Sequence, residues 1–137
     1  MKLSPRAFTY RGAVGDSDFV SQLKPALDAI RQDDYRQAND AFTALARTYP
    51  DTVEIPFYQG VSRLFINDFS GADTSLAAAE QVDRSADGSF APDITWYRAI
   101  VDERLGRMAD ARARLAALCA QANARQTTAC EAAGRLK

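Results

Sequence analysis

An all-α fold is what this sequence predicts, and three observations carry it. Alanine occurs 26 times in 137 residues, against 7 Gly and 5 Pro, a balance that favours helices in close contact over sheet. Apolar residues recur at three- and four-residue spacing, which gathers them on one stripe of a helix. That stripe returns at a period near 34 residues, from Ala38 to Ala72, so one supersecondary unit repeats along the chain. Composition also bounds function. With 17 Lys+Arg against 18 Asp+Glu and a net charge of -1, there is no basic excess to draw the chain onto nucleic acid or anionic lipid. His is absent and the only thiols are Cys119 and Cys130, which removes histidine acid/base chemistry, Ser-His and Cys-His dyads and four-ligand Cys/His zinc sites. The expectation is a non-enzyme without metal or cofactor. No stretch reaches the roughly 18 apolar residues of a membrane span, so membrane insertion by this segment is not expected. Residues 1 to 16 lack a signal-like apolar run and read as an extended segment or linker into a domain over 17 to 137.

Taken in order, the first helix is announced by Phe19, Val20, Leu23, Ala26, Leu27 and Ile30. Pro25 sits inside it, where the missing N–H and the ring predict a kink or a late start. Gln32, Asp33 and Asp34 make a polar turn, and Tyr35, Ala38, Phe42 and Leu45 form the second helix, closed by Pro50. Phe57, Tyr58, Val61, Leu64 and Phe65 give the third helix; Asn67 and Asp68 turn the chain; Phe69, Ala72, Leu76 and Ala79 give the fourth. Trp96, Tyr97, Ile100, Val101 and Leu105 form the fifth, and after Gly106 and Arg107 the sixth carries Met108, Ala111, Leu115 and Leu118. Ala72 and Ala111 lie 39 residues apart rather than 34, and the additional five fall in a loop between Ser85 and Ala91. Turns this short force each pair of helices antiparallel. Last, Thr128 and Glu131 have capping-box spacing ahead of Ala129, Ala132, Ala133 and Leu136, which predicts a short seventh helix over 128 to 136.

In the three paired segments a bulky residue is followed at +3 by Ala38, Ala72 or Ala111 and at +7 by Phe42, Leu76 or Leu115, while the preceding helix carries a small residue at Ala26, Gly60 or Ala99. With Pro50 closing the first unit, this pattern resembles the tetratricopeptide repeat. Small residues at the two positions let the paired helices approach, and the large ones fill the space beside them. Arg84 and Asn123 stand where the second and third units would have their closing proline, so looser turns are expected there. The resemblance implies an α-solenoid of three helical hairpins, over about 17 to 50, 51 to 84 and 92 to 122, with a C-terminal capping helix that covers the last hairpin's apolar face.

The same resemblance implies a binding module for a protein or peptide, held on the concave face lined by the first helix of each hairpin. Carried over by register, the groove candidates are Leu27, Phe57, Tyr58, Val61, Phe65, Trp96, Tyr97 and Ile100, with Leu23 and Leu64 beside them. The chaperone-binding branch of the family clamps a peptide carboxylate with Lys and Asn in this groove. The matching places here are apolar, which points instead to an extended apolar peptide, a partner helix, or the chain's own Pro5 to Tyr10. The alternative is a structural subunit, a homo-oligomer stacking end to end with Pro5 to Gly12 reaching into a neighbour. The alanine-rich hairpins, the Trp96-Tyr97 helix and the short last helix also resemble soluble repeat domains of bacterial envelope and anti-sigma-like membrane-anchored proteins, which implies an extracytoplasmic location.

Cys119 ends the sixth helix and Cys130 lies in the seventh, flanking one polar turn. Antiparallel packing would put them at similar depth, as a disulfide that implies an oxidising compartment; the alternative is two buried thiols used as small hydrophobes. Asp16 with Asp18, Asp33 with Asp34 and Asp102 with Glu103 are adjacent carboxylates of the kind found in turns and on solvated helix faces. Arg104, Arg107, Arg112 and Arg114 interleave with Asp102, Glu103 and Asp110, the pattern of an exposed face laced with ion pairs.

Overall fold

The computed structural model describes residues 17 to 136, and the groove-occupying role expected of Pro5 to Tyr10 lies outside them. The described residues form seven helices: α1 (Ser17–Arg31), α2 (Tyr35–Thr48), α3 (Glu54–Phe65), α4 (Phe69–Ser85), α5 (Ala91–Arg104), α6 (Met108–Ala120) and α7 (Gln126–Arg135). Helices α1/α2, α3/α4 and α5/α6 are the three hairpins. Each packs on the next through its neighbouring helices, α2 on α3 and α4 on α5, and α7 packs on α6. This is the solenoid order, in which every unit touches only its neighbours.

One turn is built three times. Asp33, Asn67 and Gly106 take positive φ, at 58°, 65° and 80°. After each, the next backbone N–H reaches five residues back into the finished helix: Asp34 to Ala29 O at 2.8 Å, Asp68 to Arg63 O at 2.8 Å, Arg107 to Asp102 O at 2.7 Å. The left-handed residue thereby satisfies helix-end carbonyls, and the same residues start the partner helix. Asp34 accepts from the Gln37 N–H and Asp68 from the Gly71 N–H, the side-chain caps of α2 and α4. Arg107 supplies no such cap to α6.

Ala38, Ala72 and Ala111 are fully buried, as are the large residues Phe42 and Leu76. The backbones of α3 and α4 approach closely: a Cβ built on Gly60 would stand 2.7 Å from Leu76 Cγ and 3.2 Å from Leu76 N. No side chain larger than hydrogen fits there without moving α4. Aromatic rings continue the core across repeats, Phe42 against Tyr58 at 5.7 Å and Phe57 against Tyr97 at 5.8 Å.

Two sequence expectations are corrected. Helix α1 does not begin late; it runs from Ser17 through Pro25. The carbonyl deprived of a partner by Pro25 belongs to Ser21, and both residues lie on the exposed side of the helix. Helix α7 starts before Thr128, and the capping box is not its start. Asn123 organises that turn: its Oδ1 accepts from the Arg125 N–H at 2.9 Å, its Nδ2 donates to Leu118 O at 2.9 Å, and its carbonyl accepts from the Gln126 N–H at 3.2 Å. Helical geometry is established two residues upstream of the threonine.

Candidate functional site

Helices α1, α3 and α5 are the first members of their hairpins and contribute the residues expected to form a groove. Leu27, Phe57, Tyr58, Val61, Trp96 and Tyr97 are buried and belong to the continuous apolar core. Phe65 and Ile100 are half-buried against that core. The two half-buried residues meet at a pocket of about 190 Å³, lined by Leu64, Phe65, Asn67, Phe69, Ile100 and Arg104. It lies where the C-terminal ends of α3 and α5 approach the start of α4. Tyr35, on α2, stacks on Phe65 with ring centroids 4.7 Å apart. The Tyr35 hydroxyl donates to Asp33 at 3.2 Å; burial, and then this carboxylate, raise its pKa above the usual 10.0. Arg104 is exposed at the rim.

At the other end of α5, Trp96 and Tyr97 lie beneath a cation. The Arg125 guanidinium carbon is 5.6 Å from the Trp96 ring centroid and 5.2 Å from that of Tyr97, and Arg125 Nε donates to Asp93 Oδ1 at 2.7 Å. Burial raises the Tyr97 pKa, with Arg125 pulling the other way. Trp96 Nε1 is buried without a hydrogen-bond partner, an uncommon cost for an indole, whose N–H usually finds an acceptor when buried. Arg125 was not among the sequence-predicted site residues; it sits in a turn, and nothing in its spacing signals which rings it covers.

Cys119 and Cys130 join α6 to α7 in a disulfide, with Cα atoms 4.7 Å apart. The arginine cluster divides by position. Arg114 donates to Asp102 at 2.8 Å, and Arg107 bridges Asp73 at 3.1 Å and Asp102 at 3.7 Å. Arg98, on α5, pairs with Glu80 and Asp73. These pairs stitch α4, α5 and α6 together across the repeat boundary. Arg112 reaches the Leu136 carbonyl at 3.2 Å. Among the described residues, no group of three or more His, Cys, Asp or Glu could hold a metal ion, and no helix is long and apolar enough to cross a membrane.

Three antiparallel hairpins with small residues at their contacts, aromatic first helices and an added C-terminal helix define a tetratricopeptide-type helical-repeat scaffold. No family model and no curated protein matches the chain in sequence. Solved structures do match its fold. The type III secretion translocator chaperone SycD of Yersinia enterocolitica aligns over 90% of this chain and 86% of its own at a TM-score of 0.77 and 15% identity. PcrH, solved in complex with the chaperone binding region of PopD, aligns over 92% and 95% at 0.76 and 17%. The first TPR of Spaghetti, bound to an HSP90 peptide, aligns over 92% and 95% at 0.74 and 14%. At these identities the likeness establishes the shared fold.

Proposed function

We propose that this chain is a non-catalytic interaction module that holds an extended, apolar polypeptide segment on the face formed by α1, α3 and α5. The observation that carries the reading is the pocket between α3 and α5. Its walls are apolar, and its rim offers Asn67 and the Arg104 guanidinium as donors toward a peptide's carbonyls. A partner side chain of leucine or phenylalanine size enters beside Phe65 and Ile100, against the buried Leu64. Similar structures support the reading, since SycD was solved with a peptide of the translocator YopD and PcrH with part of PopD. The disulfide supports an oxidising compartment as the place of work.

The test is fluorescence anisotropy of labelled extended peptides, one set carrying Leu or Phe at alternate positions and one with those positions changed to Ser, against the full chain and Ile100→Glu. Ile100 is half-buried at the pocket, so the substitution places a charge in the wall without opening the core. Binding of the apolar set alone, weakened about tenfold or more by Ile100→Glu with helix content unchanged, is the expected result. Equal binding of both sets, or no effect of the substitution, refutes the site.

A further inference from the structure

Helix α7 packs on the scaffold mainly through small apolar residues. Its buried residues are Ala129 and Ala132, with Ala133 and Leu136 half-buried beside them. Gln126 Nε2 donates to Cys119 O at 3.1 Å and Arg112 to Leu136 O at 3.2 Å, and both bonds are exchangeable with water. A helix of 10 residues is marginal on its own in water. The Cys119–Cys130 bond is the covalent tie of α7 to α6, and both cysteines are only half-buried, within reach of a thiol. Arg125, the residue before α7, is the one that covers Trp96 and Tyr97.

From these observations we infer that α7 and Arg125 form a thiol-sensitive cover over one end of the binding face. In the oxidised protein Arg125 lies over the Trp96 and Tyr97 rings. A dithiol reductant breaks the S–S bond; each sulfur takes one electron and one proton, and the reductant becomes its own disulfide. With the tether gone α7 leaves α6, Arg125 exchanges its Asp93 bond for water and leaves the rings, and the face gains an aromatic surface whose Trp96 Nε1, unpartnered in the covered state, donates to a main-chain carbonyl of an apolar peptide. The docking of that peptide rests on the function proposed above; the release of the cover does not.

The experiment therefore uses no peptide. Hydrogen exchange and the emission of Trp96, the chain's only tryptophan, are followed in the full chain, oxidised and in dithiothreitol, in Cys119→Ala/Cys130→Ala, and in oxidised Arg125→Gln. Reduction and the double substitution should each cost amides 126 to 135 about tenfold or more of their protection and shift Trp96 emission to the red, with α1 to α4 still protected. Arg125→Gln should move the emission while α7 stays protected. The inference is overturned if reduction leaves α7 protection or Trp96 emission unchanged, or if α1 to α4 lose protection together with α7, which would make the disulfide a staple of the whole fold. Should the cover release as described while apolar peptides bind neither state, the proposed function fails and the cover stands.

Discussion

Gly60→Ala adds one methyl group where α3 and α4 press together, and its cost can be separated from helix propensity by a matched control. The added Cβ meets Leu76 Cγ at 2.7 Å, Cδ2 at 2.9 Å and the backbone N at 3.2 Å. Leu76 is fully buried, so its side chain has no free space to swing into, and relief must come from moving α3 away from α4. Overpacking of this kind costs about 1 to 3 kcal/mol. Against it stands the gain of replacing glycine by alanine within a helix, about 0.5 to 1 kcal/mol. Gly134, in α7, has nothing within 4 Å of the place a Cβ would take, so Gly134→Ala takes the gain without the clash. The difference between the two variants reports the close approach itself, about 1 to 3 kcal/mol, or roughly 1 M in urea midpoint for a domain of this size. Equilibrium urea unfolding of both variants by far-UV circular dichroism measures it. If Gly60→Ala is as stable as Gly134→Ala, the α3/α4 approach does not depend on glycine, and the packing argument for the small-residue positions fails.

Two further outcomes follow from charge and burial. Tyr97 has its pKa raised by burial, so the unfolded chain ionises first: stability is intact below about pH 10 and falls as pH rises from there through the folded-state value, at up to about 1.4 kcal/mol per pH unit. Urea midpoints taken at about pH 8 and pH 11 should separate widely for the wild type and less for Tyr97→Phe; equal separation refutes the assignment. Asp102 is buried and accepts from Arg114 at 2.8 Å, so Asp102→Ala leaves that arginine unpaired and should destabilise by about 1 to 3 kcal/mol. A midpoint within error of the wild type would show that the partly exposed arginines regain their bonds from water.

The hairpins were legible because their determinants are local and repeat. Ala38, Ala72 and Ala111 mark the same packing position three times, and in-register recurrence distinguishes a solenoid from a single amphipathic helix. The turns were legible as turns, but not as one turn. Asp33, Asn67 and Gly106 are three different residues, alike only in tolerating left-handed backbone, and a shared conformation without a shared letter leaves no pattern to read. The start of α7 was misplaced for a related reason. Thr128 and Glu131 have the spacing of a cap, yet Asn123 closes the preceding turn with side-chain bonds on both sides of itself, and helical backbone is already established when the chain reaches the threonine.

The proposed binding face is harder to read than the hairpins, because periodicity measures an angle around a helix and says nothing of position along it. Val61 and Phe65 are four residues apart on one stripe of α3, and Trp96 and Ile100 are four apart on one stripe of α5. In each pair the first residue is buried and the second half-buried. The difference is axial: Phe65 and Ile100 lie toward the turn ends of their helices, where the packing opens into the pocket beside Asn67 and Phe69, while Val61 and Trp96 lie where neighbouring helices and Arg125 close over them. A stripe that is apolar along its whole length thus serves as core at one level and as pocket wall at another. The polar residues at its end are the only local mark of the change: Arg104 follows Ile100 by four positions, and Asn67 follows Phe65 by two. Reading a helical-repeat groove from sequence therefore requires finding where the apolar stripe meets its first exposed polar neighbour near a hairpin turn, because that is the level at which the face leaves the core.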